Sequence, residues 1–305
     1  MTAAQAEVLR LCGIKVPVFQ AGMGGVAGPT LAAAAANAGA LGHLGGLRQP
    51  PSQLRRWIRD TRAMTDQPFG VNLVPAWGGP EVFEAQLKVV FEERPRVLSL
   101  FYGEFGDVIP RAKAAGLVVI VQVGSISEAR TVFAQGADIA IAQGAEGGGH
   151  LHYGKVGLLS LLPQVVAVAE GRPVLAAGGI VSSRDVRTVT ALGASGVWVG
   201  TAFVATQESL AHDIYKQRLV EATTDDTEYR TGYSFGWKYG TPHRVIPNRE
   251  PWNVLRFIGG GARMIDAPRV AKKLSLFAGQ GVGQIDSIST AAERVAELAR
   301  GFDTN

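Results

Sequence analysis

Residues 174–203, VLAAGGIVSSRDVRTVTALGASGVWVGTAF, carry the repeating unit of the chain in its clearest form. Two uncharged apolar runs, 174–177 and 196–199, have the length and character of strands buried on both faces of a parallel sheet. Between them, 182–192 has helical spacing and stops at Gly193, a residue type that readily takes the left-handed turn after a helix. Each strand is followed by glycine, Gly178-Gly179 in one case and Gly200-Thr201 in the other. Glycine at a strand end lets backbone N–H groups close on an anion.

The same unit recurs upstream. Strands are predicted at 16–21, 41–44, 69–73, 97–101, 117–123 and 139–142, and helices at 29–38, 52–64, 80–93, 105–115, 127–135 and 157–169. Gly28-Pro29 and Ser52 mark helix starts, and Gly39, Gly116 and Gly136 mark helix ends. Eight strand–helix units by about residue 210 predict an α/β fold of the (β/α)8 barrel type. A doubly wound open sheet is the rival, because periodicity does not report closure. Paired glycine sites after strands seven and eight favour the barrel, where they form a phosphate cradle; ordinary turn glycines are the alternative.

The helix after strand eight is predicted over 207–222. Beyond it, 223–261 turns polar and aromatic, with Tyr229, Tyr233, Phe235, Trp237, Tyr239 and Trp252 and many turn residues. The expected organisation is a barrel over 1–206, a cap or small subdomain over 207–267 near the barrel mouth, and a segment over 268–305 that packs back on the barrel. A final helix is predicted at 287–300.

Composition narrows the function. Glycine makes up 39 of 305 residues, nearly twice the average share of roughly 7%. With 47% hydrophobic and only 18% charged residues, the chain is globular rather than disordered. Its glycines must therefore serve tight turns or close approach. Cys12 is the single cysteine, so no internal disulfide forms, which fits a reducing, cytoplasmic setting. No secretory signal is read in residues 1–15, and no apolar run approaches the roughly 18 residues of a membrane span. Net charge is +4, but the basic residues are scattered, which argues against nucleic acid. No metal-ligand spacing, phosphate-binding P-loop or nucleophile-elbow motif is present. Cys12 precedes strand one, away from every strand C-terminus, so cysteine nucleophile chemistry is not expected.

In a barrel the chemistry sits at strand C-termini. After strand one, 22–28 fits G-x-G-x-x-G, but the next strand supplies no acid for a ribose, so a loop lying flat against a planar ligand is preferred to a dinucleotide fingerprint. Asn72, Gln122 and Gln143 place amides at three strand ends, suited to the edge of a heteroaromatic ring or to local strand-end bonds. After strand six, Gly144-Ala145-Glu146-Gly147-Gly148-Gly149-His150-Leu151-His152 presents one acid and two histidines on glycine. His150 is the candidate general base; His152 is evenly balanced between function and structure. His43 is expected near the core, and His212 and His243 in structural or surface positions.

Together these residues resemble the nitronate monooxygenase (2-nitropropane dioxygenase) family. The resemblance runs through Gln20-Ala21-Gly22-Met23-Gly24-Gly25, Asn72-Leu73, Gly144-x-Glu146-x-Gly148-Gly149-His150, Ala177-Gly178-Gly179-Ile180 and Gly200-Thr201-x-Phe203, with Ala278-Gly279-Gln280-Gly281 similar to the family's tail. It implies an FMN-dependent barrel. Ala21, Gly22 and Met23 would lie along the isoalloxazine, and Asn72 and Gln122 at its polar edge. Gly178, Gly179, Gly200 and Thr201 would hold the phosphate, with Gln143, Gly148 and Gly149 also lining the cofactor. His150 would deprotonate a nitroalkane, and the nitronate would be oxidised with O2 to a carbonyl compound and nitrite. The implied partners are a small nitronate or nitroalkane and O2, with no membrane and no metal; a homodimer is left open. Two other readings stay open: an NAD(P)H-dependent flavin enoyl-acyl carrier protein reductase, which shares the barrel, the histidine loop and the FMN site, and a flavin- or phosphate-binding module without turnover.

Overall fold

The computed structural model describes residues 1–303 apart from 77, 153–154, 235–236 and 262–267. Phe235 and the end of the expected cap therefore lie outside the described residues.

Helix α1 (Ala3–Cys12) precedes a run of alternating strands and helices: β1 (Val18–Gln20), α2 (Pro29–Asn37), β2 (Gly42–Gly45), α3 (Pro51–Met64), β3 (Phe69–Leu73), α4 (Pro80–Glu93), β4 (Val97–Leu100), α5 (Val108–Ala114), β5 (Val118–Val123), α6 (Ile126–Ala134) and β6 (Ile139–Gln143). A two-residue strand, β7 (Gly149–His150), leaves the barrel. The alternation resumes with α7 (Leu158–Val168), β8 (Val174–Ala177), α8 (Ser183–Ala191), β9 (Gly196–Val199) and α9 (Thr201–Val204). Eight strands form one parallel sheet in the order β1-β9-β8-β6-β5-β4-β3-β2. A parallel bridge from Phe19 to Leu41 brings the two edges together, so the fold is a (β/α)8 barrel and not an open sheet.

The two-residue period of each strand sorts its side chains. In β5, Val119, Val121 and Val123 pack outward against the helices, while Val118 and Ile120 fill the interior. Gln122 follows in the inward row, one step higher. The same alternation carries Ile139 and Ile141 up to Gln143 in β6. α1 lays Val8 and Cys12 into the interior cluster and closes the strands' N-terminal end, where Arg96 donates to Leu11 O at 2.7 Å. Burial pushes the Cys12 thiol up to about 12, so it stays protonated and inert.

Three sequence expectations need correction. The helix predicted at 207–222 is α10 (Asp213–Glu221) only. Thr206 bridges Ser289, and Gln207 N–H donates to Ser289 O at 2.9 Å, so a distant segment ties down the start of this stretch, which continues as a turn. Ser52 does not cap α3; the helix starts at Pro51, whose ring sets φ and whose missing N–H is no loss there. The stretch 223–261, which lacks alternation, nonetheless supplies β10 (Glu228–Arg230), β11 (His243–Ile246) and β12 (Gly259–Gly260). With α11 (Pro268–Lys273) leading in, β13 (Ser275–Phe277) completes a small sheet in the order β10-β11-β13-β12, and β7 pairs with β11. This sheet draws strands from the barrel loop and from both sides of residue 267. Helix α12 (Ala291–Ala299) packs against α2 and α8. Among the described residues, no helix is long and apolar enough to cross a membrane.

Candidate functional site

A cavity opens where the barrel strands end, enclosing about 1380 Å³ of atom-free space including its mouth. Ala21, Gly22, Met23, Asn72, Gln122, Gln143, Gly148, Gly149, His150, Gly178, Gly179, Gly200 and Thr201 all line it. The fold thus brings together the candidate base and the residues expected along the cofactor, while His152 lies outside the cavity lining.

Each wall has a local cause. Asn72 donates to Ser99 Oγ at 3.0 Å, which fixes the amide at the strand end. The first loop lies against it so closely that a Cβ on Gly22 would stand 2.3 Å from Asn72 Cβ. Opposite, three glycine stretches meet. Gly178 and Gly179 have φ of 111° and 74°, the left-handed side that glycine tolerates. Gly279 N–H donates to Thr201 Oγ1 at 3.0 Å and sits on Gly148. The tail 278–281 therefore forms part of the wall. The N-terminus of α8 is not free for a ligand, contrary to the simplest sequence reading: Asp185 accepts from Val181 N and Ser182 N at 2.9 Å each, and Glu297 accepts from Ser183 N at 3.0 Å. Any anion held here is held by the strand-end glycine loops.

His150, two residues beyond Gly148, is buried and lines the same cavity. β7 pairs it in register with His243 of β11, and Leu151 N–H donates to Pro242 O at 2.9 Å. The Gln143 side chain clamps the same segment: Nε2 donates to His150 O and Oε1 accepts from His152 N, both at 3.1 Å. Its amide is spent on the protein rather than turned to a ligand. The His150 ring stacks on Trp237 at 3.8 Å and meets the Phe277 edge at 5.0 Å. Its Nε2 is hydrogen-bonded to Ser234 Oγ. Burial, then the nearby His243 and Arg48, hold its pKa well below the ordinary histidine value, so the ring is uncharged at neutral pH.

The remaining loop residues have structural partners. Glu146 is no catalytic acid; its carboxylate accepts from Leu158 N at 2.9 Å and caps α7. His152 faces Glu128 at 3.3 Å and meets Phe101 edge-on at 4.9 Å. His43 is enclosed in the barrel against Trp198, as expected of a core residue. His212 accepts from Ile214 N and caps α10. Tyr239 and Trp252 point to solvent, at 78% and 96% exposure; of the aromatic residues expected in the cap, Trp237 reaches the cavity. Sequence reasoning missed Ser234, Arg48 and Phe277. Ser234 and Phe277 lie far along the chain from the histidine loop, and Arg48 looks like any surface arginine after a strand. Among the described residues, no group of three or more His, Cys, Asp or Glu is placed to hold a metal.

The fold and the site together define a (β/α)8 barrel with a glycine-lined cavity and an uncharged histidine at its mouth. The nitronate monooxygenase family model matches residues 6–81 and 76–251, and the chain belongs to that family of flavin-dependent enzymes. The nitronate monooxygenase of Pseudomonas aeruginosa is 32% identical over 323 residues, which span 90% of this chain and 92% of that one. A (3aS,4S,5R,7aS)-5-hydroxy-7a-methyl-1-oxo-octahydro-1H-indene-4-carboxyl-CoA dehydrogenase of Rhodococcus jostii is 37% identical over 280 residues, 92% of this chain and 76% of that one. Among solved structures, FabK from Thermotoga maritima has a TM-score of 0.83 at 34% identity, covering 97% and 95% of the two chains.

Proposed function

We propose that this enzyme uses FMN and O2 to oxidise alkyl nitronates, and nitroalkanes after deprotonation, to a carbonyl compound and nitrite. One observation carries the reading: a buried, uncharged imidazole, His150, stands in the wall of a glycine-lined cavity at the barrel mouth. The residues present fit the cofactor. Ala21, Gly22 and Met23 would lie along the isoalloxazine, with the amides of Asn72 and Gln122 at its polar edge. Gly178, Gly179, Gly200 and Thr201 would hold the phosphate, with Gly148 and Gly149 lining the cavity as well. Gln143 is assigned to positioning the histidine segment. Bound FMN supplies the electron acceptor and the partner for O2.

His150 takes the acidic α-proton of a neutral nitroalkane. In the tautomer that donates Nε2–H to Ser234 Oγ, the Nδ1 lone pair would be the base. Trp237 covers one ring face and keeps water from it. A nitronate has already lost that proton and needs no base.

A second reading, oxidation of a CoA thioester, is favoured by the 37% identity to the Rhodococcus jostii dehydrogenase, above the 32% to the Pseudomonas aeruginosa nitronate monooxygenase. One experiment separates these readings and the reductase: anaerobic mixing of FMN-loaded protein with propyl-2-nitronate, with NADH and NADPH, and with an alicyclic acyl-CoA. Bleaching of the flavin by nitronate without a nicotinamide, and nitrite on admitting air, is the expected result. Bleaching by nicotinamide alone, or by acyl-CoA alone, would sink the nitronate reading. Protein that takes up no FMN would sink every flavin reading.

A further inference from the structure

The turn after β2 brings a charge to the cavity that the chemistry above does not use. Gly46, Leu47, Arg48 and Gln49 form a four-residue turn closed by Gln49 N–H donating to Gly46 O at 3.1 Å. Arg48 is its third residue, with φ at 64°. Positive φ at that place suits Gly or Asn, and a larger side chain is strained there. Gln86 of α4 holds the strain in place: it is buried, and its Nε2 donates to Gly46 O at 2.9 Å and to Gln49 O at 2.8 Å. Strain that the surroundings over-determine in this way clusters at functional sites.

Among the described residues that line the cavity, Arg48 has the only side chain with a permanent charge. The other lining groups are backbone, apolar and aromatic side chains, amides, hydroxyls and the uncharged His150. Arg48 also acts on His150 electrostatically, disfavouring its protonation. The same charge that adds to the effect of burial and His243 on His150 would attract an anion to its side.

We propose that Arg48 is the oxyanion-recognition residue of the cavity, its planar guanidinium pairing with the two oxygens of a planar anion, a nitronate or carboxylate, next to His150. The fork of N–H donors matches such a pair of oxygens better than an ammonium does. The choice of a nitronate as ligand rests on the function proposed above; the anion site itself does not.

Nitrate, a planar oxyanion with no C–H bond to oxidise, is the probe. Its affinity for FMN-loaded protein is measured by calorimetry for wild type, Arg48→Lys, Arg48→Gln and Arg48→Gly, with the melting temperature of each. The Gln and Gly variants should lose about tenfold or more in nitrate affinity, the scale of a charge-assisted hydrogen bond, with Lys between them and wild type. Wild-type protein that binds no nitrate overturns the proposal. So does undiminished nitrate affinity in Arg48→Gln and Arg48→Gly, including the case in which Arg48→Gly melts lower, as a purely structural arginine would predict. Since nitrate binding requires no turnover, failure of the nitronate reading leaves this result legible.

Discussion

Replacing Gly148 with alanine tests the cavity wall where the packing is tightest. A Cβ at that position would stand 2.4 Å from Gly279 N, 2.6 Å from Ala278 C and 2.8 Å from Thr201 Oγ1. Two of these atoms are backbone, and the third accepts the Gly279 N–H, so no flexible group can give way. The tail 278–281 must move. Overpacking of this kind costs about 1–3 kcal/mol, which in a chain of this length lowers the melting temperature by about 2–5 °C. Gly149→Ala is the control. Its φ is 74°, but its Cβ would meet only Phe277, at 3.9 Å. It bears left-handed strain of about 1–2 kcal/mol and leaves the tail in place. Thermal unfolding and FMN titration by fluorescence quenching are run on both variants. Gly148→Ala should weaken FMN binding by about tenfold, about 1.4 kcal/mol, and Gly149→Ala by much less. Wild-type FMN affinity in Gly148→Ala would refute the placement of the cofactor against this wall.

Two further outcomes follow from the buried side chains. Burial holds the His43 pKa at about 3, so between about pH 6.5 and 3 the unfolded chain carries a proton that the folded one refuses. This group's contribution to stability is complete above about pH 6.5 and falls by about 1.4 kcal/mol per pH unit on acidification; urea unfolding of His43→Gln should show a pH slope smaller by about one proton, and an unchanged slope would contradict the assignment. Gln143→Leu removes the clamp on His150 and His152, so turnover of neutral nitroalkanes should fall by about tenfold or more, with two backbone partners lost at about 1 kcal/mol each, while FMN affinity stays near wild type; loss of FMN affinity instead would put Gln143 on the cofactor.

Much of the barrel was legible because its signals are local. The strands Phe69–Leu73, Val174–Ala177 and Gly196–Val199 fall where apolar runs and turn residues placed them. Gly39, Gly116, Gly136 and Gly193 end their helices with positive φ, as their spacing implied. Pro51 displaced the expected Ser52 cap locally, but the larger misreadings have a long-range cause. Nothing near Thr206 announces that Ser289 will hold it extended, and nothing in a two-residue strand at Gly149–His150 announces pairing with His243. The candidate site divides in the same way. Strand-end amides and glycines could be found by position, whereas Ser234, Phe277 and the clamping role of Gln143 exist only once the second sheet assembles over the barrel mouth. Arg48 was hidden by its residue type, since positive φ at a turn is not anticipated for arginine.

The central claim is that His150 serves as a base and not as a cofactor ligand. It is tested most directly by comparing the turnover of neutral 2-nitropropane and of its preformed anion, propyl-2-nitronate, in FMN-loaded wild type and His150→Ala. The account predicts that His150→Ala retains FMN, still oxidises the anion, and loses the neutral substrate by about 100-fold or more, within the usual range for general-base catalysis. Equal activity of the variant and wild type on neutral 2-nitropropane would contradict it.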